Sequence, residues 1–441
     1  MSDEQEQAQK NDVAAADGPV PRLRLRSLKI HEFRDVRPGT ELHFGDGFHL
    51  VLGKNGSGKS TLLQLLAAVS VLDFRGPFFE GTPFHLEADI EIGALSLHAE
   101  IRRAFASNGV SEEADSSLNE QAEILIRIRH PEERGDIWAH ARTGEGLRFF
   151  LLDPMLGRDE APYRIGPLPN GPLGVSLNMF LHELRSQFVE RPTLSANVRP
   201  AWLRVAVQPG TGVVFDESLG VLHIIAGREL TLDRGFPFRY VDRENWLPRS
   251  LEFNATGEPV SLPLKNNPLL KDAISQLGFD DAKAHFGPAA TIRNGYRYSS
   301  PSFQFFHKGK AVRRHDQLSF GQKRLFSFAW YLACNPDIAI ADELVNGLHS
   351  DWIDWCVQTL SDRQSFLTSQ NPILVDSIPF RSADDIRRGI ILCETVHNDA
   401  TGSNELCFRQ LDDAETDLLT RAFEQSRLDL LSDLLHALEL W

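Results

Sequence analysis

A glycine-rich stretch near residue 55 constrains this chain more than any other feature. Residues 53–61 read G-K-N-G-S-G-K-S-T, between an apolar run (residues 48–52) and a leucine-rich helical pattern. Glycines let the backbone turn tightly enough for several N–H groups to face one phosphate, and the helix N-terminus adds a partial positive charge. A Gly/Ser surface turn would need neither the lysine nor the flanking strand and helix. The pattern therefore predicts a phosphate-binding loop in an α/β fold.

The loop residues have expected roles in holding ATP and magnesium. Lys59 is expected to place a cation on the β and γ phosphates, and Ser60 to offer its hydroxyl to Mg²⁺. The residues expected to bind the nucleotide are Gly53, Asn55, Gly56, Ser57, Gly58, Lys59, Ser60 and Thr61.

A second segment predicts the catalytic half of such a site. The apolar run 338–341 is followed by Asp342 and Glu343, which suits a central parallel strand that delivers two carboxylates at its end. Asp342 would hold Mg²⁺, and Glu343 would orient or deprotonate the attacking water. Taken alone, the segment is equally a strand followed by an acidic turn. Upstream, however, L-S-F-G-Q at 318–322 opens a helical pattern that ends near N-P-D at 335–337.

With these motifs in this order, the chain resembles the ABC-type ATPases, whose signature motif is L-S-G-G-Q. The resemblance implies a P-loop fold of that type. It also implies that Ser319, Gly321 and Gln322 contact the γ phosphate of ATP held by the loop of a second copy, so that a head-to-tail homodimer or higher oligomer encloses ATP. Phe320 stands where the signature has its first glycine, a departure that favours families other than transporters.

Other segments resemble the SMC, RecF and OLD-like branch of that family. L-K-I-H-E-F-R at 28–34 resembles its first strand, and on this resemblance Arg34 joins the ATP-binding residues. N-G-L-H at 346–349 resembles its dimer-interface loop. In T-S-Q-N-P at 368–372, Gln370 replaces the family's switch histidine. A glutamine can hydrogen-bond a phosphate oxygen but carries no positive charge, so slow turnover is expected. The magnesium-sensing glutamine has three candidates, Gln121, Gln187 and Gln208.

The order of the motifs predicts an α/β chain with five parts. Residues 1–22 are expected to be a disordered tail, and 23–154 to hold the phosphate loop and an antiparallel β lobe. Residues 155–300 are expected to form an inserted lid of mixed α/β structure, since recurrent prolines exclude a coiled-coil arm. Residues 301–411 complete the ATPase core, and 412–441 form an amphipathic helix. That helix either packs on its own core or docks a partner.

Composition narrows the surroundings in which this chain is expected to work. No run of 18 apolar residues occurs, so no membrane span is predicted. The four cysteines are scattered, which favours a reducing cytoplasm over a disulfide framework or a zinc motif. A net charge of −15 opposes nucleic-acid binding except at a local basic patch. The basic segment 307–324 is the candidate patch, and its alternative is a solvated hairpin.

Several functions stay open at this stage. One is the sensor or scaffold ATPase of a multi-component anti-phage system that controls a separate effector protein. Another is a RecF-like ATPase of DNA repair or replication. A transporter subunit and a non-hydrolysing nucleotide-binding module are further alternatives. The C-terminal segment shows no Asp-x-Asp of a TOPRIM nuclease after Gln370, so any nuclease is expected to be a separate chain.

Overall fold

The chain divides into two compact units, which are described separately. Unit 1 comprises Met1–Phe44, Ala68–Arg191 and Glu394–Arg409, and unit 2 comprises Gly45–Ala67, Pro192–Cys393 and Gln410–Trp441. The computed structural model describes residues 22–71, 74, 78–79, 81–92, 95–105, 120–129, 136–142, 146–152, 202–204, 222–225, 260–265, 267–286, 290–292, 295–298, 302–334, 337–400, 402–425, 430–438 and 440.

Among the described residues, helices are frequent after residue 319, whereas strands dominate before it. The strands are β1 (Leu23–Phe33), β2 (Thr40–His43), β3 (Phe48–Leu52), β4 (Phe84–Ile92), β5 (Leu95–Phe105), β6 (Glu120–Arg129), β7 (Asp136–Arg142), β8 (Gly146–Leu152), β9 (Trp202–Arg204), β10 (Leu222–Ile225), β11 (Val260–Pro263), β12 (Asp281–Phe286), β13 (Ala290–Ile292), β14 (Gly295–Tyr298), β15 (Ser302–His307), β16 (Lys310–Arg314), β17 (Ile338–Asp342), β18 (Gln364–Thr368), β19 (Ile390–Asn398) and β20 (Ser403–Gln410). The helices are α1 (Lys59–Val71), α2 (Pro268–Gln276), α3 (Phe320–Cys334), α4 (Ser350–Leu360), α5 (Pro372–Ser377), α6 (Ala383–Gly389), α7 (Asp413–Gln425) and α8 (Leu431–Ala437).

A parallel sheet forms the centre of unit 2. Its strand order is β19-β3-β18-β17-β9, and each of these neighbouring pairs is parallel. All five residues of β18 are buried, as expected for a strand covered on both faces. The carboxyl ends of parallel strands meet at one edge of a sheet, so the loop after β3, Asp342 and Ser369 reach the same edge. The predicted α/β class and the parallel strand at 338–341 are confirmed.

An antiparallel sheet dominates unit 1. Its order is β2-β1-β4-β5-β6-β7-β8, which confirms the predicted β lobe. Along β4, Leu86, Ala88 and Ile90 are buried while the residues between them are partly exposed. This alternation gives the described part of the sheet one apolar face and one polar face.

The region predicted to be an insertion is described only in part. Helix α2 lies in this region; Pro268 occupies its first turn, and the Asn267 side chain caps it by accepting from the Leu270 N–H at 3.0 Å. The predicted boundaries 154/155 and 300/301 lie outside the described residues. The five-part division therefore stays a prediction.

The prediction of a single amphipathic helix over 412–441 is wrong in one respect. The segment contains two helices, α7 and α8, and Leu430 between them has extended backbone (φ −79°, ψ 146°). The start of α8 is held from elsewhere in the chain, because the Ser432 N–H and hydroxyl both donate to Asp376 (2.8 and 2.9 Å). Leu431 and Leu435 are buried, so α8 packs on its own core. None of the described helices has the length and apolar character to cross a bilayer.

Candidate functional site

The loop between β3 and α1 depends on glycine at defined positions. Gly53 has φ 146°, and a Cβ there would overlap the carbonyl oxygen of Cys393 and lie 2.6 Å from Ser57 Oγ. Gly56 and Gly58 also have positive φ, 84° and 89°. Any other residue would be strained in these conformations or would displace β19. The backbone path that the G-x-x-x-x-G-K-S pattern predicts is therefore present.

Two polar groups of the loop are enclosed. Lys59 is 8% exposed, and its Nζ donates to the carbonyl oxygens of Gly53 (2.7 Å) and Lys54 (3.0 Å). Ser57 is also buried, and its hydroxyl has no hydrogen-bond partner among the described residues. A buried unpaired hydroxyl costs free energy unless a ligand satisfies it. The loop thus fits a bound phosphate chemically.

The residues after β17 are joined to the loop by a chain of hydrogen bonds. Ser60 Oγ donates to one carboxylate oxygen of Asp342 at 2.6 Å, and Thr368 Oγ1 donates to the other at 2.5 Å. The Thr368 hydroxyl in turn accepts from the Glu343 N–H at 2.8 Å. Because β17 and β18 are in parallel register, Thr368 lies beside this strand end. Both oxygens of Asp342 are thereby oriented.

Glu343 is held in an unusual backbone conformation. Its φ is 52°, in the left-handed region that non-glycine residues rarely adopt, which costs about 1–3 kcal/mol. Asn346 Nδ2 donates to its carboxylate at 2.9 Å. Such local strain is concentrated at functional sites, and here it aims the carboxylate of the residue predicted to act on water.

Arg324 supports this turn from within the core. Its side chain is 0% exposed, and it donates to the backbone oxygens of Glu343 and, at 2.9 Å, of Leu344. Burial lowers the pKa of Arg324 to about 10, while the neighbouring Glu343 carboxylate opposes that shift. The guanidinium therefore keeps its charge at neutral pH. Sequence reasoning had placed Arg324 in the basic segment 307–324; the burial corrects this, since a buried side chain cannot contact a nucleic acid.

The signature segment caps helix α3 with its own side chains. The Ser319 N–H donates to Gln322 Oε1 (3.0 Å), and the Gln322 N–H donates to Ser319 Oγ (3.3 Å), which is a reciprocal capping box. A Cβ on Gly321 would lie 2.9 Å from the Gly347 oxygen, and one on Gly347 would lie 2.8 Å from the Phe320 ring. The signature and the loop 346–349 are therefore packed directly together.

Gln370 lies beside the loop 53–61. Its Nε2 donates to Asn55 Oδ1 at 2.8 Å, which joins the segment after β18 to the phosphate loop. The preceding Ser369 is 1% exposed. The structure thus links Ser60, Asp342 and Glu343 through hydrogen bonds, and Lys59 and Gln370 each bond to the loop 53–61. Their catalytic and ligand roles stay predictions.

Other predicted site residues are not joined to this group. Among the described residues, no hydrogen bond connects Ser319, Gly321 or Gln322 with the loop 53–61. Within the same part of the chain, the Thr61 side chain forms no hydrogen bond. Arg34 belongs to unit 1, where its guanidinium lies over the Phe78 ring (4.4 Å) and donates to the Phe78 oxygen. Gln187, Gln208 and the side chain of Gln121 lie outside the described residues.

Two residues that position this site escaped sequence reasoning. Thr368 orients Asp342, and Arg324 holds the Glu343 turn. For Arg324 the sequence does contain a signal, because this arginine is followed directly by the largely apolar run L-F-S-F-A-W of the same helix. For Thr368 no local signal exists, because its role depends on strand register.

The parallel sheet, the glycine loop and the Asp342-Glu343 pair have the arrangement of a P-loop nucleotide-binding domain. Residues 27–128 match the family model of an AAA domain. No curated protein matches this chain.

Solved structures similar to this chain include SMC heads and RecF. The SMC head domain from Thermotoga maritima is 12% identical with a TM-score of 0.33, covering 88% of this chain and 99% of that one. The Smc head from Pyrococcus furiosus, bound to the C-terminal domain of ScpA, is 11% identical with a TM-score of 0.35, covering 92% and 100%. The recombination mediator RecF with ATP, of the RecFOR pathway, is 13% identical with a TM-score of 0.33, covering 79% and 93%.

Proposed function

We propose that this chain binds and hydrolyses ATP as a switch that closes a head-to-tail dimer around two nucleotides. The observation that carries the proposal is the continuous network from Ser60 through Asp342 and Thr368 to Glu343. It joins the loop that would hold the phosphates to the carboxylate that would act on water. If Glu343 served only the stability of the fold, its backbone would not need the strained left-handed conformation in which it is held.

The residues present fit a magnesium ion beside ATP. Ser60 and Asp342 contribute hydroxyl and carboxylate oxygens, the hard ligands that Mg²⁺ prefers. When bound, the ion would neutralise charge on the β and γ phosphates. The Ser60 hydroxyl oxygen and an Asp342 carboxylate oxygen lie 2.6 Å apart. One ion beside them would therefore contact both oxygens.

The protein's own part in hydrolysis is positioning. Lys59 is enclosed by the loop and would place its charge on the phosphates. Glu343 would hold the attacking water and take its proton, with its carboxylate oriented by Asn346 and its backbone fixed by Arg324 and Thr368. General-base action of this kind contributes about 10²–10⁴-fold.

Closure of a dimer would complete the site with the signature segment of the second copy. Ser319 and Phe320 are exposed at the start of α3, and a helix N-terminus is suited to an anionic phosphate. ATP bridging two copies would favour the closed state, and hydrolysis would remove the bridge.

Gln370 favours a slow switch that holds a separate effector protein, as in a multi-component anti-phage system. Its amide already donates to Asn55, and it has no ionisable group with which to shuttle a proton. The net charge of −15 also disfavours a general affinity for nucleic acid. A slow, partner-regulated ATPase is the function that these two features support best.

A RecF-like role on DNA is the second candidate, and one observation favours it. Every side chain of β16 is exposed, including Lys310 and Arg313. Within the described residues, Arg314 pairs with Asp316 at 3.6 Å, and no ion pair involves Lys308 or Lys310. This strand therefore offers cations for a phosphate backbone.

ATP turnover and oligomeric state, measured with and without duplex DNA, separate these functions. Lys59→Ala is expected to lose ATP binding and ATP-dependent dimerisation, because it removes the enclosed cation. Slow turnover that ignores DNA, with an ATP-dependent dimer, supports the effector switch. DNA-stimulated turnover that Lys310→Gln reduces would favour the RecF-like role. An absence of hydrolysis in a chain that still dimerises with ATP would leave a nucleotide-binding module and overturn the enzymatic proposal.

A further inference from the structure

A cluster of metal-ligating side chains lies on the polar face of the unit 1 sheet. His31 is on β1, and His85 and Glu87 are on β4; one ligand atom from each lies within 4.8 Å of the other two. The register of β1 against β4 shifts between Ile30 and Glu32, and this irregularity falls at His31. Bulges of this kind re-aim a side chain, and this one lies where the three ligating side chains come together.

The contacts within the cluster are close. His31 Nε2 lies 2.8 Å from Glu87 Oε1, and the rings of His31 and His85 are stacked with centroids 4.3 Å apart. The side chains of His31, His85 and Glu87 are 30%, 25% and 29% exposed. They are sheltered enough to be ordered and exposed enough to admit an ion from solvent.

We propose that His31, His85 and Glu87 bind one divalent ion of the zinc class. Two imidazoles and one carboxylate are a ligand set that zinc uses, whereas Mg²⁺ prefers oxygen alone. Zinc bonds of about 2.0–2.1 Å in a tetrahedron put the donor atoms about 3.4 Å apart. The donors need modest side-chain rotation to reach that spacing, with the two rings turning out of their stack. A bound ion would crosslink β1 to β4.

Neighbouring charges set the affinity of this site. Glu100 Oε1 lies 3.1 Å from His85 Nε2 and offers a further oxygen ligand. Arg102 donates to His85 Nε2 at 3.2 Å and also pairs with Glu100. The guanidinium therefore occupies a lone pair that the metal needs and repels the cation. Removing Arg102 should therefore strengthen metal binding. No such gain is expected if His31, His85 and Glu87 only form ordinary hydrogen bonds with one another.

The same face supplies a matched control. His98 Nδ1 lies 2.8 Å from Asp89 Oδ1, on the strands β5 and β4. Within the described residues this pair has no third ligand of the required kind. His98→Gln thus removes an equivalent histidine without touching the proposed site.

Zinc titration by calorimetry tests the proposal on the full chain, without nucleotide and with excess Mg²⁺ to occupy oxygen sites. The wild type is expected to bind one equivalent of zinc. The variants His31→Gln and Glu87→Gln should bind zinc about tenfold more weakly or worse. The control His98→Gln should bind zinc as the wild type does. Arg102→Gln should bind more tightly. Thermal unfolding with chelator present should be alike for all variants, which excludes misfolding. Equal zinc binding by wild type, His31→Gln and Glu87→Gln would overturn the site.

Discussion

The two sheets of this molecule place their polar residues in opposite ways. The parallel sheet of unit 2 is buried on both faces, and the residues predicted to act on ATP lie at or just beyond its strand ends, at Ser60, Asp342 and Glu343. The antiparallel sheet of unit 1 has one apolar face, and its charged groups run along the other, as His85 and Glu87 do. A sheet that is covered on both sides can offer a site only at its edge, whereas a half-covered sheet can offer one on its face.

The energetic consequence is that polar groups inside unit 2 should matter far more to stability than those on the face of unit 1. Arg324 and His49 are the two largest tests of that difference, because both are buried and both satisfy backbone groups.

The largest effect is expected for Arg324→Met. This change leaves the Glu343 and Leu344 oxygens without their donor, so the free energy of unfolding should fall by about 2–4 kcal/mol. The turn that aims Glu343 should also relax, which lowers kcat more than it changes KM. Urea unfolding and steady-state turnover measure both. Arg26→Gln, which breaks the partly exposed pair with Glu91 in unit 1, is the control and should cost about 0–1 kcal/mol. Equal losses of unfolding free energy in the two variants would contradict the claim that polar groups inside unit 2 matter more to stability than those on the face of unit 1.

The next effect concerns pH and His49. Burial lowers its pKa to about 4, and both ring nitrogens are occupied: Nε2 accepts from the Gly45 N–H at 3.1 Å and Nδ1 donates to the Ser365 oxygen at 3.2 Å. The folded state holds this imidazole neutral while the unfolded chain protonates it near pH 6.5. The unfolded state therefore binds more protons between these values, and stability falls as pH drops from about 6.5 to about 4, by about 3 kcal/mol in total.

His49→Gln should be less stable at neutral pH but should lose less stability on acidification. Unfolding curves at several pH values measure this slope. A wild-type slope in His49→Gln would mean that another group causes the acid sensitivity.

A smaller effect is expected for Gln370→His. A histidine at this position restores a side chain that can carry charge and move a proton near neutral pH. Turnover should rise by about tenfold, while ATP affinity changes little. The profile of kcat against pH should gain a dependence near the histidine pKa. Unchanged turnover would indicate that Gln370 does not limit hydrolysis.

Local motifs predicted the site better than they predicted what supports it. The phosphate loop and the Asp342-Glu343 pair were recognisable because each is a contiguous pattern with its own backbone requirement. Thr368 was not, since its contact with Asp342 needs the register of two strands separated by helix α4. The two-helix C-terminus was missed for a related reason. Apolar periodicity continues through the segment, but Asp376, a residue on α5, caps the start of α8.

The most direct test of the central claim is ATP turnover by Glu343→Gln, with the oligomeric state measured in the same samples. Since glutamine keeps the shape but cannot take a proton, turnover should fall by about 100-fold or more. ATP should still bind and should trap a stable dimer. Lys59→Ala, which is expected to do neither, is the control. Unchanged turnover in Glu343→Gln, or a chain that stays monomeric with ATP bound, would contradict an ATP-driven switch built on this carboxylate.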